Sequence, residues 1–256
     1  MSETASRLAV PLSILQPVGT KLIAQKAAQF GAVAVIGSSS QPRTFPDGVS
    51  TLQEFPGSAI FYHPAYGAIS INRAIYNKWN SLSATESKTA DGHNLRDYLG
   101  FPVSDSFSTI ENGGTAGYFE RGMIVVRGNG VGYVLSGPIY EHYRRLGNVG
   151  DAGARPVMGL PISDEEAVAN NGRCTHFDGG DIYWSAATDA REIHGAICDR
   201  WLALGGAGSV LGLPTSDECG VQSGNTNGAV EEAHWDHLDF QFPERPIRLR
   251  YPPCPF

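Results

Sequence analysis

With 256 residues and a formal net charge of −7, the chain can hold one large domain or two small ones, and it lacks the clustered basic surface that nucleic-acid binding needs. Hydrophobic residues at 41% and charged residues at 18% describe an ordinary globular composition, with no apolar run near the ~18 residues of a membrane helix. The N-terminus is polar and lacks the basic start and apolar core of a signal peptide. The expectation is a protein that acts inside its cell, leaves by another route, or begins after a removed signal.

Glycine supplies 31 of the 256 residues, well above a usual ~7%, which suits a fold with many turns. After a loose lead-in over 1–16, a helix is expected over 18–30, with Leu22, Ile23, Ala27 and Phe30 on one face and Gly31 as its stop. A Pro/Gly/Ser-rich loop over 41–51 precedes strands over 55–62 and 67–71 and a helix over 74–79, then a polar insertion over 83–94. Next come a hairpin over 117–126, a plain turn at Gly128, Asn129 and Gly130, and a helix opened by Gly137 and Pro138 with the stripe Ile139, Tyr143, Leu146. The same plan returns as a hairpin over 174–184 and a helix over 195–204 with Ile197, Trp201 and Leu204. A last hairpin is expected over 233–242, before a Pro/Arg-rich tail.

One phrase organises these elements. Leu99-Gly100-Phe101-Pro102-Val103-Ser104-Asp105 recurs as Met158-Gly159-Leu160-Pro161-Ile162-Ser163-Asp164 and as Leu211-Gly212-Leu213-Pro214-Thr215-Ser216-Asp217, its glycines 59 and 53 residues apart. Ile36-Gly37-Ser38-Ser39 is a degraded copy. Regular spacing of this length marks tandem repeats. Glycine opens a turn that a side chain would block, proline fixes φ two residues later, and the Ser-Asp pair can cap its own turn or a following segment. The fold expected is α+β, about four tandem units of short β-hairpin plus helix. A first helix without a hairpin and a last hairpin without a helix each leave an apolar face bare, so the units are expected to close into a ring-like, propeller-like body. The domain expectation is a lead-in over 1–16 and one repeat domain over 17–256, with units at 17–53, 54–112, 113–170 and 171–227, a half unit at 228–244 and a tail at 245–256.

No nucleophile elbow, HExxH or phosphate-cradling loop occurs, and no catalytic residue or resident metal is expected. His234 and His237 flank a carboxylate, but on a strand they face opposite sides. The repeated acids Asp164, Glu165, Asp217 and Glu218 read as turn or cap residues, because an enzyme needs one asymmetric site rather than several equivalents. Carboxylates recurring in loops also admit calcium, though each phrase offers few ligands. Cys174, Cys198, Cys219 and Cys254 form no CxxC, which argues against a metal knuckle. They read either as reduced core thiols or, in an oxidising compartment, as the source of one disulfide involving Cys254.

The hairpins carry the candidate binding chemistry. Asp178, Asp181 and Tyr183 cluster at one turn, Asp236 and Asp239 repeat the carboxylates, and Glu120 and Arg121 hold the corresponding turn of the previous unit, with Arg200 on the third helix. Carboxylates and guanidinium groups hold sugar hydroxyls, while an aromatic face receives the apolar side of the ring. Trp79, Trp184 and Trp201 are assigned to core packing.

The phrase, preceded by a helix ending in Leu-Gly and followed by Phe-x-x-Gly-x-Ile-x-Trp, resembles the LGFP repeat family. The likeness covers roughly 55–242. It implies anchoring to cell-wall polysaccharide, because such repeats accompany mycolyltransferases, peptidoglycan hydrolases and esterases at bacterial surfaces. This chain shows no enzyme domain beside its repeats. The expected function is therefore non-catalytic, multivalent, lectin-like glycan binding, against the alternatives of a cell-wall or ester hydrolase and a protein-interaction scaffold.

Overall fold

The computed structural model describes residues 12–29, 40–84, 88–89, 92–109, 114–147, 158–220, 235–239 and 248–250, with side chains placed from 18 to 218 within those ranges. Four sheets follow one another. The first has the order β1 (Arg43–Thr44), β2 (Thr51–Phe55), β3 (Ser58–His63), β4 (Gly67–Asn72), and the second β5 (Phe107–Ser108), β6 (Thr115–Phe119), β7 (Gly122–Val126), β8 (Gly132–Ser136). The third has β12 (Asp189–His194), β11 (Gly180–Ser185), β10 (Gly172–Phe177), β9 (Glu166–Val168), and the last β13 (Cys219–Gly220), β14 (Trp235–Asp239), β15 (Arg248–Arg250). Helix α1 spans Leu12–Gln29; α2 (Arg73–Ser81), α4 (Gly137–Arg145) and α5 (Gly195–Ala203) each follow the last strand of a sheet, and the short α3 (Leu95–Leu99) leads into the first phrase.

The repeat is therefore larger than a hairpin plus helix. It is a short edge strand, a hairpin, a third strand and a helix. In the third unit the extra strand β12 escapes the sequence pattern because Asp189, Arg191 and Glu192 interrupt its apolar alternation, yet Ala190 and Ile193 are buried. The helices pack through a tighter stripe than expected: Ile75, Tyr76 and Trp79, then Ile139, Tyr140 and Tyr143, then Ile197, Cys198 and Trp201 are buried. Leu204 lies beyond the end of α5 and is exposed. The expected hairpin over 233–242 is instead the unbroken strand β14, paired with β13 and β15. Leu238 stands there where the third unit has Gly180, and the turn is not made.

The chain divides into two compact units, one of Met1–Phe107 with Thr115–Glu120, the other of Ser108–Gly114 with Arg121–Phe256. In the first, α1 buries Ile23 and Ala27 against Phe55, Ile60 and Tyr62 of the first sheet; Phe30 lies outside the described residues. A second aromatic layer joins Phe61 to Trp79 edge-on at 5.1 Å and Phe45 to Phe101 at 4.9 Å. In the second unit, Cys174, Tyr183, Ile193, Ile197, Trp201 and Leu213 share one core, and Tyr143 stacks on Phe177 at 4.9 Å. Helices α2, α4 and α5 each lie against their own sheet and also reach β6, β11 with β12, and β14 respectively. Helix α1 stands in the same relation to the first sheet, where Ile23 and Ala27 of its apolar face are buried, and ring closure is not confirmed. Among the described residues no closed barrel or propeller is seen.

Candidate functional site

The repeated phrase is a staple. Its serine hydroxyls accept from the strand that follows, Ser104 from Tyr118 N–H at 3.1 Å and Ser163 from His176 N–H at 2.9 Å. Its aspartates reach back to the strand before: Asp105 accepts from Ser70 N–H at 2.8 Å, Asp164 from Val134 N–H at 2.8 Å and Asp217 from Glu192 N–H at 3.4 Å. Its glycine carbonyls accept from the seventh residue of each nine-residue helix, Trp79 at 3.2 Å, Tyr143 at 2.8 Å and Trp201 at 3.1 Å. The serine caps a following segment as expected; the aspartate caps a preceding strand rather than its own turn. Lys26 also pairs with Asp105 at 2.5 Å, and Glu165 with Arg173 at 2.7 Å.

The hairpin candidates separate. Asp178 stays at the surface, where Arg127 grips it with two bonds of 2.9 and 3.0 Å and also donates to Pro161 O at 3.2 Å. Asp181, only 8% exposed, points inward. It meets His176 Nδ1 at 2.6 Å, accepts from Tyr183 OH at 3.2 Å and lies 3.8 Å from the Cys198 thiol. Tyr183 is buried edge-on against Trp201 at 4.8 Å. Neither offers a free face to a sugar. Glu120, Arg121 and Arg200 are exposed. Asp236 and Asp239 both belong to β14 rather than to a turn, and their side chains lie outside the described residues, as do His234 and Cys254. Trp79 and Trp201 are core residues, while Trp184 is half-buried.

Two surface groups were hidden from sequence reasoning. Tyr66, 40% exposed, stacks on His63 at 5.0 Å, and His63 meets Phe101 of the first phrase at 5.1 Å. Asp47 lies within charge reach of His63: burial would raise its carboxyl, but bonds from Ser50 and Val49 and the His63 charge hold it below the usual range. At the other end of this sheet, Tyr76 OH donates to Glu54 at 2.7 Å, Arg73 donates to Glu54 at 3.0 Å, and Arg43 donates to Tyr76 at 3.1 Å.

A cluster joins the buried His142 (α4) and Glu192 (β12) with the half-buried Asp217. His142 Nε2 is 3.2 Å from Asp217, and Arg145 Nη2 donates to His142 Nδ1 at 2.8 Å. That donation leaves the proton of a neutral ring on Nε2, which lies 3.2 Å from Asp217 without a well-formed hydrogen bond, and removes the lone pair a metal would use there. Glu192 Oε2 is buried without a hydrogen-bond partner among the described residues. Burial first, then the Asp217 charge, pushes the Glu192 carboxyl up to about 7.

Compared with protein families, the chain matches the one described as LGFP repeat three times, at residues 39–87, 99–150 and 158–209. No curated protein matches it.

Proposed function

We propose, because this chain belongs to the LGFP repeat family, that it is a non-catalytic, cell-wall-associated repeat protein that binds glycan at more than one of its repeats. One observation carries this reading. At two successive units the residue leaving the hairpin's second strand rests on the phrase residue after its glycine: His63 on Phe101, and Arg127 near Leu160 O at 3.5 Å. Each placement presents a planar polar group at the surface, Tyr66 with His63 in one and the Arg127–Asp178 fork in the other. A planar polar group beside an aromatic face, as at Tyr66 and His63, suits sugar hydroxyls and the apolar side of a sugar ring, and the Arg127–Asp178 fork supplies charged polar groups for hydroxyls. Weak sites repeated along a repetitive polymer gain by simultaneous engagement.

Non-catalytic binding is the reading proposed because Asp105, Asp164 and Asp217 do the same backbone work in each unit, although Asp217 alone also joins the His142–Glu192 cluster. Assays with chromogenic esters and cell-wall polysaccharides test this directly. Turnover that disappears on changing one residue would establish the hydrolase alternative.

A further inference from the structure

We propose that the third repeat holds a zinc-type divalent cation between β10, β11 and α5, bound by Cys174, His176, Asp181 and Cys198. The donor atoms of Cys174, His176 and Asp181 all lie within 4.8 Å of one another. Cys174 Sγ is 3.9 Å from His176 Nδ1, His176 Nδ1 is 2.6 Å from Asp181 Oδ1, and Cys198 Sγ is 3.8 Å from Asp181 Oδ2. Donors sharing one zinc at ~2.0–2.3 Å stand roughly 3.3–3.8 Å apart. Small side-chain adjustments bring Cys174, His176 and Asp181 to that spacing, Cys198 stands within reach of Asp181 as the fourth donor, and mixed sulfur, nitrogen and oxygen donors suit zinc.

The other repeats are internal controls. The Cys174 position holds Leu52 and Ala116, that of Asp181 holds Ala59 and Met123, and that of Cys198 holds Tyr76 and Tyr140, all buried. The first two positions are apolar in both other repeats and become thiol and carboxylate together in the third, where the tyrosine of the other two helices is also replaced by a thiol; a buried carboxylate of this kind costs free energy unless it is paired or coordinated. The neighbours also have the right polarity. Glu166 Oε1 stands 3.1 Å from His176 Nε2, where it accepts the Nε2 proton and leaves Nδ1 as the ligand, the arrangement by which a carboxylate orients a metal-bound histidine. Tyr183 OH donates to Asp181 and fixes its rotation. An imidazolium clamped between Glu166 and Asp181 would use the same two contacts and leave Cys174 and Cys198 as core side chains alone.

The test is a cobalt(II) titration of the reduced full-length chain, followed by zinc. The result expected is one cobalt per chain, with thiolate-to-cobalt charge-transfer and intense tetrahedral visible bands, both bleached by zinc. Cys174→Ala and Cys198→Ala should each diminish the charge-transfer band. Should either variant misfold by circular dichroism, Glu166→Gln replaces it: its side chain is 57% exposed, and its loss should weaken zinc binding about 10- to 100-fold without unfolding the chain. A full-length chain with no cobalt bands, or a Glu166→Gln variant of unchanged affinity, overturns the site. The outcome is independent of glycan binding.

Discussion

The indole Nε1 of Trp201 donates to the carbonyl of Gly212 at 3.1 Å, and the same bond joins Trp79 to Gly100 and Tyr143 to Gly159. The helix of each repeat thus grips the phrase that ends it. Trp201→Phe keeps most of the buried volume and orphans the carbonyl, which should cost about 1–3 kcal/mol. Trp201→Ala also opens a cavity and should cost about 3–5 kcal/mol. Urea unfolding measures both, and equal stability for Trp201→Phe and the parent would deny the bond its role.

Gly159 has φ of 67°, and a Cβ there would stand 3.0 Å from Asp178 Cβ. Gly159→Ala should lose about 1–2 kcal/mol from the left-handed backbone alone and push Asp178 off Arg127. Thermal melting reads the first effect, and a double-mutant cycle with Arg127→Ala reads the second. Purely additive losses would show that the fork survives.

Stability should fall as pH rises from 4.5 to about 7, because burial, then neighbouring acid charge, raises Glu192, and burial likewise raises Glu218. In that window the unfolded chain has released these protons while the folded chain keeps them, so folding is favoured at the acid end and the advantage is lost through the folded value. Asp217 is pulled the other way: its burial is outweighed by His142, so its contribution fades only on further acidification. Glu192→Gln should flatten the slope and stabilise the chain above neutrality. An unchanged slope would mean that Glu192 ionises normally.

The sequence shows the repeat because Gly100, Gly159 and Gly212 are obliged by their positive φ values, and a conformational need of that kind leaves a fixed residue at a fixed spacing. Strand β12 was illegible because its buried Glu192 answers to the His142–Asp217 cluster rather than to the sheet's alternation. The fate of Asp181 was equally hidden: its direction depends on His176 and Cys198, which meet it only after three elements pack. Tyr66, His63 and Asp47 are brought together by a turn and a loop at one end of the first sheet, and no spacing rule joins them.

Multivalent glycan binding is read out by a glycan array followed by retention on immobilised cell-wall polysaccharide. Discrete hits are expected, with Tyr66→Ala and Asp178→Asn each weakening retention on the polymer more than affinity for a free monosaccharide. Loss of one charged hydrogen bond, worth about 1.5–3 kcal/mol, corresponds to roughly a ten- to hundredfold loss at a single site. A blank array, together with unchanged retention for both variants, would rule out glycan binding at these groups and favour a protein-interaction scaffold.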